Sequence, residues 1–263
     1  MELNAPAGRP TVAGGAGADP ARLPAELLAR LAAPGAGLLL DLDGTLLDSE
    51  PVHRAAFVEY FGSRGWEVPE EVVHLFSGRR AGEVFSSLDG PWRGEDPDEL
   101  TEGVIAVLRR STARPVPVPG AVDLLSACAA TGLPTAVVTS ARRGWAHAAL
   151  TAFGTEVPPL ITAEDCTHGK PDPEPYRRGA RLLDLDPAGL VAAEDAVAGI
   201  ASARGAGVGY VIALTTSQPA TALSAADLAV ADLRALARAV LTRRQGGTED
   251  QHRGPAPRTS SGN

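Results

Sequence analysis

The chain has 263 residues, 44% of them hydrophobic and 21% charged, with a formal net charge of −8 at pH 7. That length and balance suit a soluble globular protein with a sizeable core, and the acidic excess argues against a nucleic-acid or anionic-membrane surface, which needs clustered positive charge. No apolar run approaches the ~18–20 residues of a membrane span, and no basic start with an apolar core opens the chain, so a cytoplasmic protein is expected.

Met1 to about Pro20 is rich in Gly, Ala and Pro, and residues 1–34 read as a largely disordered tail with a short helix from Ala21 to Ala33. Short apolar runs then mark strands at 37–42, 134–140, 158–163, 189–195, 208–214 and 227–231. Helical patterns lie between most of them, at Gly120–Thr131, Arg142–Phe153, Pro173–Leu183, Val197–Ala206 and Leu233–Leu241. Strands alternating with helices predict an α/β fold, a Rossmann-like doubly wound parallel sheet with ligands at the carboxyl ends of its strands.

Residues 51–114 break the alternation. They carry helical patterns at Val52–Arg64, Glu70–Phe76, Arg80–Leu88 and Pro97–Arg110, no strand, and a proline-rich exit, "ARPVPVPG". This predicts a small inserted α-helical cap domain over a core formed by 35–50 and 115–241. The polar segment 242–263 reads as a second disordered tail. Cys128 and Cys166 lack metal or redox spacing and are expected as reduced thiols.

Four strand ends carry chemistry. The first run closes in "DLDGT", with Asp41 and Asp43 before a permissive glycine; two close carboxylates repel unless a proton or a cation intervenes. The second ends in Thr139 and Ser140, hydroxyls that can cradle a phosphate or cap the next helix. The third leads to Lys170 in "HGKPDPEPY", the single lysine among 24 cationic residues, stiffened by prolines where a compact ammonium suits an oxygen shared between carboxylate and phosphoryl groups. The fourth ends in Glu194 and Asp195, the hard oxygen ligands that Mg²⁺ prefers, or a helix cap. Each has an ordinary structural alternative; the ordered set of four is specific.

These motifs resemble the haloacid dehalogenase-like (HAD) hydrolase superfamily over roughly Gly37 to Leu214. "DLDGTLLDSEPVH", "VPVPGAVDLL", "GKPDPEPY" and "EDAVAGIASARGAG" are similar to the branch of sugar- and polyol-phosphate phosphatases and β-phosphoglucomutase. Ala196 stands where that family often has serine. The resemblance implies a Mg²⁺-dependent phosphatase acting on a small phosphorylated metabolite, as a monomer or small homo-oligomer. It makes Asp41 the nucleophile that becomes a phosphoaspartate and Asp43 the general acid and then base. It gives Mg²⁺ to the Asp41 carboxylate, the Asp43 carbonyl and Asp195, with Glu194 nearby. It gives the phosphoryl oxygens to Thr139, Ser140 and Lys170. Asp43 argues against dehalogenation, which needs no proton for its leaving group.

His53 falls where the mutases of this branch keep a histidine, so a β-phosphoglucomutase-type mutase stands as the alternative, and a non-catalytic phosphate-binding member as a second. Arg79 and Arg80, after Gly78, are placed to reach a sugar or second anion, or to lie on a solvated turn. His74 and Trp92 are expected to pack.

Overall fold

A computed structural model describes residues 23–243; the tails expected before Leu23 and after Arg243 lie outside them. In chain order the elements are α1 (Ala25–Ala32), β1 (Gly37–Leu40), β2 (Leu47–Asp48), α2 (Glu50–Ser63), α3 (Glu70–Val73), α4 (Ala81–Ser87) and α5 (Pro97–Arg110). After these come β3 (Val116–Pro117), α6 (Ala121–Thr131), β4 (Thr135–Val138), α7 (Arg143–Thr151), β5 (Leu160–Ile161) and α8 (Glu174–Leu182). The chain continues through β6 (Leu190–Glu194), α9 (Val197–Gly205), β7 (Tyr210–Leu214), β8 (Leu228–Val230) and α10 (Arg234–Thr242).

Six strands form one parallel sheet in the order β5-β4-β1-β6-β7-β8. Every residue of β1 is buried, as a central parallel strand covered on both faces requires, and Leu38 pairs with Thr135 on one side and Val191 on the other. One face packs Leu27, Leu31, Leu124, Leu150 and Leu236 from α1, α6, α7 and α10; the other packs Tyr176, Ala180, Ile200 and Ala203 from α8 and α9. The chain winds outward from β1 to β5, then crosses back to β6. The strand ends beside β1 therefore form the crevice where the winding reverses, the place such sheets bind ligands.

Helices α2 to α5 leave the sheet between β2 and β3 and share an aromatic core of their own, including Tyr60, Phe61, Phe76, Phe85 and Trp92. The longest amphipathic piece, α5, starts at Asp96, whose side chain accepts from the Asp98 and Glu99 N–H groups; Pro97 opens the first turn and Arg109 and Arg110 close the last. The chain entering the insert and its proline-rich exit pair with each other as an antiparallel ribbon, Leu47 opposite Pro117 and Asp48 opposite Val116.

The six sheet strands and the helices stand at the expected places, mostly trimmed by one to three residues at an end. The last helix runs to Thr242, one residue into the segment read as tail. Trp92 packs as expected, at 1% exposure. His74 does not: the turn that follows α3 aims it outward, 3.7 Å from Glu70 Oε1, with 42% of its side chain exposed.

Candidate active site

Asp41 follows β1 directly. Its N–H still donates to Ala193 O at 3.0 Å, so the ladder to β6 fixes its backbone while its side chain leaves the strand. Oδ1 accepts from Lys170 Nζ at 2.5 Å; Oδ2 is buried and has no partner among the described residues. Lys170 is wholly buried, and its ammonium also donates to Glu194 Oε1 at 2.5 Å and Val138 O at 3.0 Å. One compact head thus ties the ends of β1, β4 and β6 together.

Asp195 lies across from Asp41. Its Oδ2 accepts from the Ser217 hydroxyl, and its Oδ1 is a second buried oxygen with no partner among the described residues. It does not cap α9: the N-cap is Ala196, without a side-chain bond. Two glycines make room for these acids. Gly44, at φ +87°, turns the chain so that a Cβ would fall 2.0 Å from Asp195 Oδ2, and at Gly199 a Cβ would fall 2.0 Å from Glu194 Oε1.

Carboxyl oxygens of Asp41, Glu194 and Asp195 lie within 4.8 Å of one another, against a single ammonium. Negative charge is in excess. Burial above all, with Glu194 and Asp43 adding to it, pushes the Asp41 carboxyl up to about 8 although Lys170 pulls the other way. Burial and the Asp41 and Glu194 charges likewise push Asp195 well above the carboxylate range. Burial opposes the Lys170 charge, yet the two acids it touches hold its pKa above that of an ordinary lysine. Two buried orphan oxygens on facing acids, in a pocket short of positive charge, fit a hard divalent cation such as Mg²⁺. Glu194 fits that role less directly, because Lys170 and the Tyr176 hydroxyl (2.8 Å) occupy Oε1 and the Asp195 N–H (3.2 Å) reaches Oε2.

Asp43 does not share this nest. Its Oδ1 accepts from Ser49 Oγ at 2.7 Å and from the Trp145 indole N–H at 3.1 Å, and His53 Nε2 stands 3.9 Å away. The two carboxylates of "DLDGT" therefore face different partners, and both line a cavity of about 1280 Å³ between the sheet and the helical insert. Thr139, Ser140, His53 and Arg79 line it too. Thr139 Oγ1 accepts from the Ala141 N–H at 3.0 Å, and Ser140 Oγ donates to Gly78 O at 3.1 Å. Neither caps α7, whose N-cap is Arg142, so the loop from 139 to 141 is left to face the cavity. Arg79 presents a guanidinium whose Nε is buried without a partner among the described residues.

The sequence reading missed Ser49, Trp145, Tyr176, Ser217 and Gly199. Trp145, Tyr176 and Ser217 act through contacts distant in sequence, Trp145 to Asp43 across 102 positions, whereas Ser49 and Gly199 lie five or six residues from the acids they meet, inside motifs read for other residues.

The chain is similar to known proteins in sequence and in fold. A family model described as haloacid dehalogenase-like hydrolase matches residues 36–207. Validoxylamine A 7'-phosphate phosphatase of Streptomyces hygroscopicus subsp. limoneus is 38% identical over 74% of this chain and 92% of its own length. Hexitol phosphatase A of Escherichia coli is 34% identical over 75% of this chain and 91% of its own. Among solved structures, a hydrolase from Pseudomonas syringae superposes with a TM-score of 0.68 at 23% identity, over 77% of this chain and 96% of that one, a likeness of fold. The chain belongs to the haloacid dehalogenase-like hydrolase family.

Proposed function

We propose that the protein is a Mg²⁺-dependent phosphatase that hydrolyses a small sugar or polyol phosphate through a phosphoaspartate on Asp41, with the helical insert as its cap. The observation that carries this reading is the Asp41 carboxylate, one oxygen fixed by Lys170 and the other bare beside the bare oxygen of Asp195. Phosphatase relatives that align over nine-tenths of their own length support the substrate class. The free thiols and the lack, among the described residues, of a helix long and apolar enough to cross a membrane accord with a cytoplasmic location.

Mg²⁺ would be held by Asp41, Asp195 and the Asp43 carbonyl, and would neutralise phosphoryl and carboxylate charge that otherwise repel. The chain's own residues do the rest. Asp41, stripped of water, offers a carboxylate oxygen to phosphorus in line with the leaving alcohol. Asp43, held by Ser49 and Trp145 through Oδ1, keeps Oδ2 for the proton that the leaving alkoxide takes and later for the one that water gives up. Lys170 keeps Asp41 in place and offsets charge. Its three acceptors in this structure leave the Thr139 hydroxyl and the Ser140 N–H as the closer holders of phosphoryl oxygens. Glu194 acts as the anchor of Lys170, and Arg79 and His53 face the rest of the substrate.

Phosphate release from a panel of hexitol, hexose and glycerol phosphates, with Mg²⁺ and with chelator, tests this reading against an Asp41→Asn control. Equal release by both proteins would sink it, as would a panel on which neither releases phosphate above background. A mutase is the second reading, supported by His53 beside Asp43. Isomerisation of β-glucose 1-phosphate primed with bisphosphate, if faster than phosphate release, would favour it.

A further inference from the structure

The loop from Ala163 to Gly169, which delivers Lys170, bonds to Ala141 O through the Ala163 N–H and to its own turns, and otherwise takes side-chain partners from two sources. From the sheet side, Glu174 accepts from the His168 and Thr167 N–H groups at 2.8 and 3.1 Å. From the helical insert, the Arg80 guanidinium donates to the carbonyls of Ala163 (2.8 Å), Cys166 (2.9 Å) and Thr167 (3.3 Å). Glu83 Oε1, itself bonded to Arg80 at 3.3 Å, accepts from the Gly169 N–H at 2.8 Å. The missing side chain of Gly169 permits the contact, since a Cβ there would lie 2.9 Å from both Arg80 Cδ and Glu83 Oε1.

We propose that Arg80 and Glu83 are positioning residues: they latch the insert to the loop that leads into Lys170, so that the order of this loop, and the aim of the ammonium at its end, depend on the docked insert. Four backbone groups of the loop take partners from the insert; the contacts to Ala163, Cys166 and Gly169 are part-buried and the one to Thr167 is exposed. Withdrawing the insert hands all four to water together, so the loop loses its fixed partners on that side at once and docking and loop order are coupled. The linkage is reciprocal, because whatever fixes the loop also favours docking. The planar guanidinium fork is what reaches several carbonyls at once, and a lysine at 80 cannot reproduce it. Gly169 passes the constraint on, being bonded to Glu83 on one side and joined to Lys170 on the other.

Amide exchange needs no substrate and stands apart from the phosphatase reading; only the kinetic arm rests on it. In Arg80→Met, Glu83→Ala and Gly169→Ala, exchange over residues 163–170 is expected to quicken by about tenfold or more, with β6 and α5 unchanged. On the best sugar phosphate, kcat falls roughly 10- to 100-fold while KM stays within about threefold, as for a misaimed catalytic group. Arg80→Lys does not restore either. If Arg80→Met also loosens α5, Gly169→Ala decides, since it changes no residue of the insert. Unchanged exchange over 163–170 in Gly169→Ala would overturn the proposal. So would a rise in KM alone, which would make Arg80 and Glu83 substrate contacts in the cavity they line. A wild-type protein inert toward every phosphate ester would count against the phosphatase reading and leave exchange to judge the latch.

Discussion

Lys170 brings three N–H donors to three acceptors, the Asp41 and Glu194 carboxylates and the Val138 carbonyl, in a space with no exposed surface. A guanidinium is wider and planar, which explains why the chain keeps this one lysine among arginines. Lys170→Met should therefore strip two buried carboxylates of their partner and cost about 3–5 kcal/mol in urea unfolding. A loss under about 1 kcal/mol would mean that the ammonium does not hold the strand ends together. Asp41 gives a second test at this scale. A carboxyl whose pKa rises on folding binds its proton more tightly when folded, so its penalty is absent below the ordinary 3.8 and grows until pH reaches about 8. In chelator, stability should decline across that window. Added Mg²⁺ should stabilise more at pH 8 than at pH 5, because it competes with the proton for the same oxygens. Equal stabilisation at both would place the cation elsewhere.

At the scale of elements, α9 sets helix propensity against close approach. Gly199 lies in its first turn, where alanine would ordinarily favour the helix by about 1 kcal/mol. Here the added Cβ would fall 1.9 Å from Glu194 Cδ, a side chain pinned by Lys170 and Tyr176 that cannot step aside. Gly199→Ala is thus expected to lower the thermal midpoint and to reduce turnover roughly 10-fold or more, since Lys170 loses its anchor; a stabilised, fully active variant would refute the packing account. The same elements mark what the sequence let a reader see. Runs such as "GLLL" and "LVAAE" are buried on both faces and read as strands without help. The β2–β3 ribbon has two residues a side, too short for any periodicity, and exists only because the fold brings positions 47 and 117 together. The start of α7 was legible to within a residue, Arg142 against Arg143; what was hidden is that Ser140 does not cap it, because its hydroxyl donates to Gly78 O on the insert.

Across the whole molecule, the sheet supplies the acids, lysine and hydroxyls from neighbouring strand ends, and the insert closes the space above them. Asp41, Asp43, Thr139, Ser140 and Asp195 stood out in the sequence because each follows an apolar run, and Lys170 because it is the one lysine of the chain, in a proline-rich loop. Trp145, Ser217 and Tyr176, which aim them, did not, because their partners lie on other elements, and Ser49 did not because a helix-start serine has an ordinary capping role. The most direct test of the account follows the phosphoryl group itself. Wild-type protein turning over its best sugar phosphate with Mg²⁺ is quenched in acid, and the peptides are mapped by mass. The account predicts one phosphoryl group on the peptide bearing Asp41, discharged by hydroxylamine, and neither adduct nor phosphate release in Asp41→Asn. Steady phosphate release from Asp41→Asn at the wild-type rate, or a phosphoryl group trapped on another residue, would contradict it.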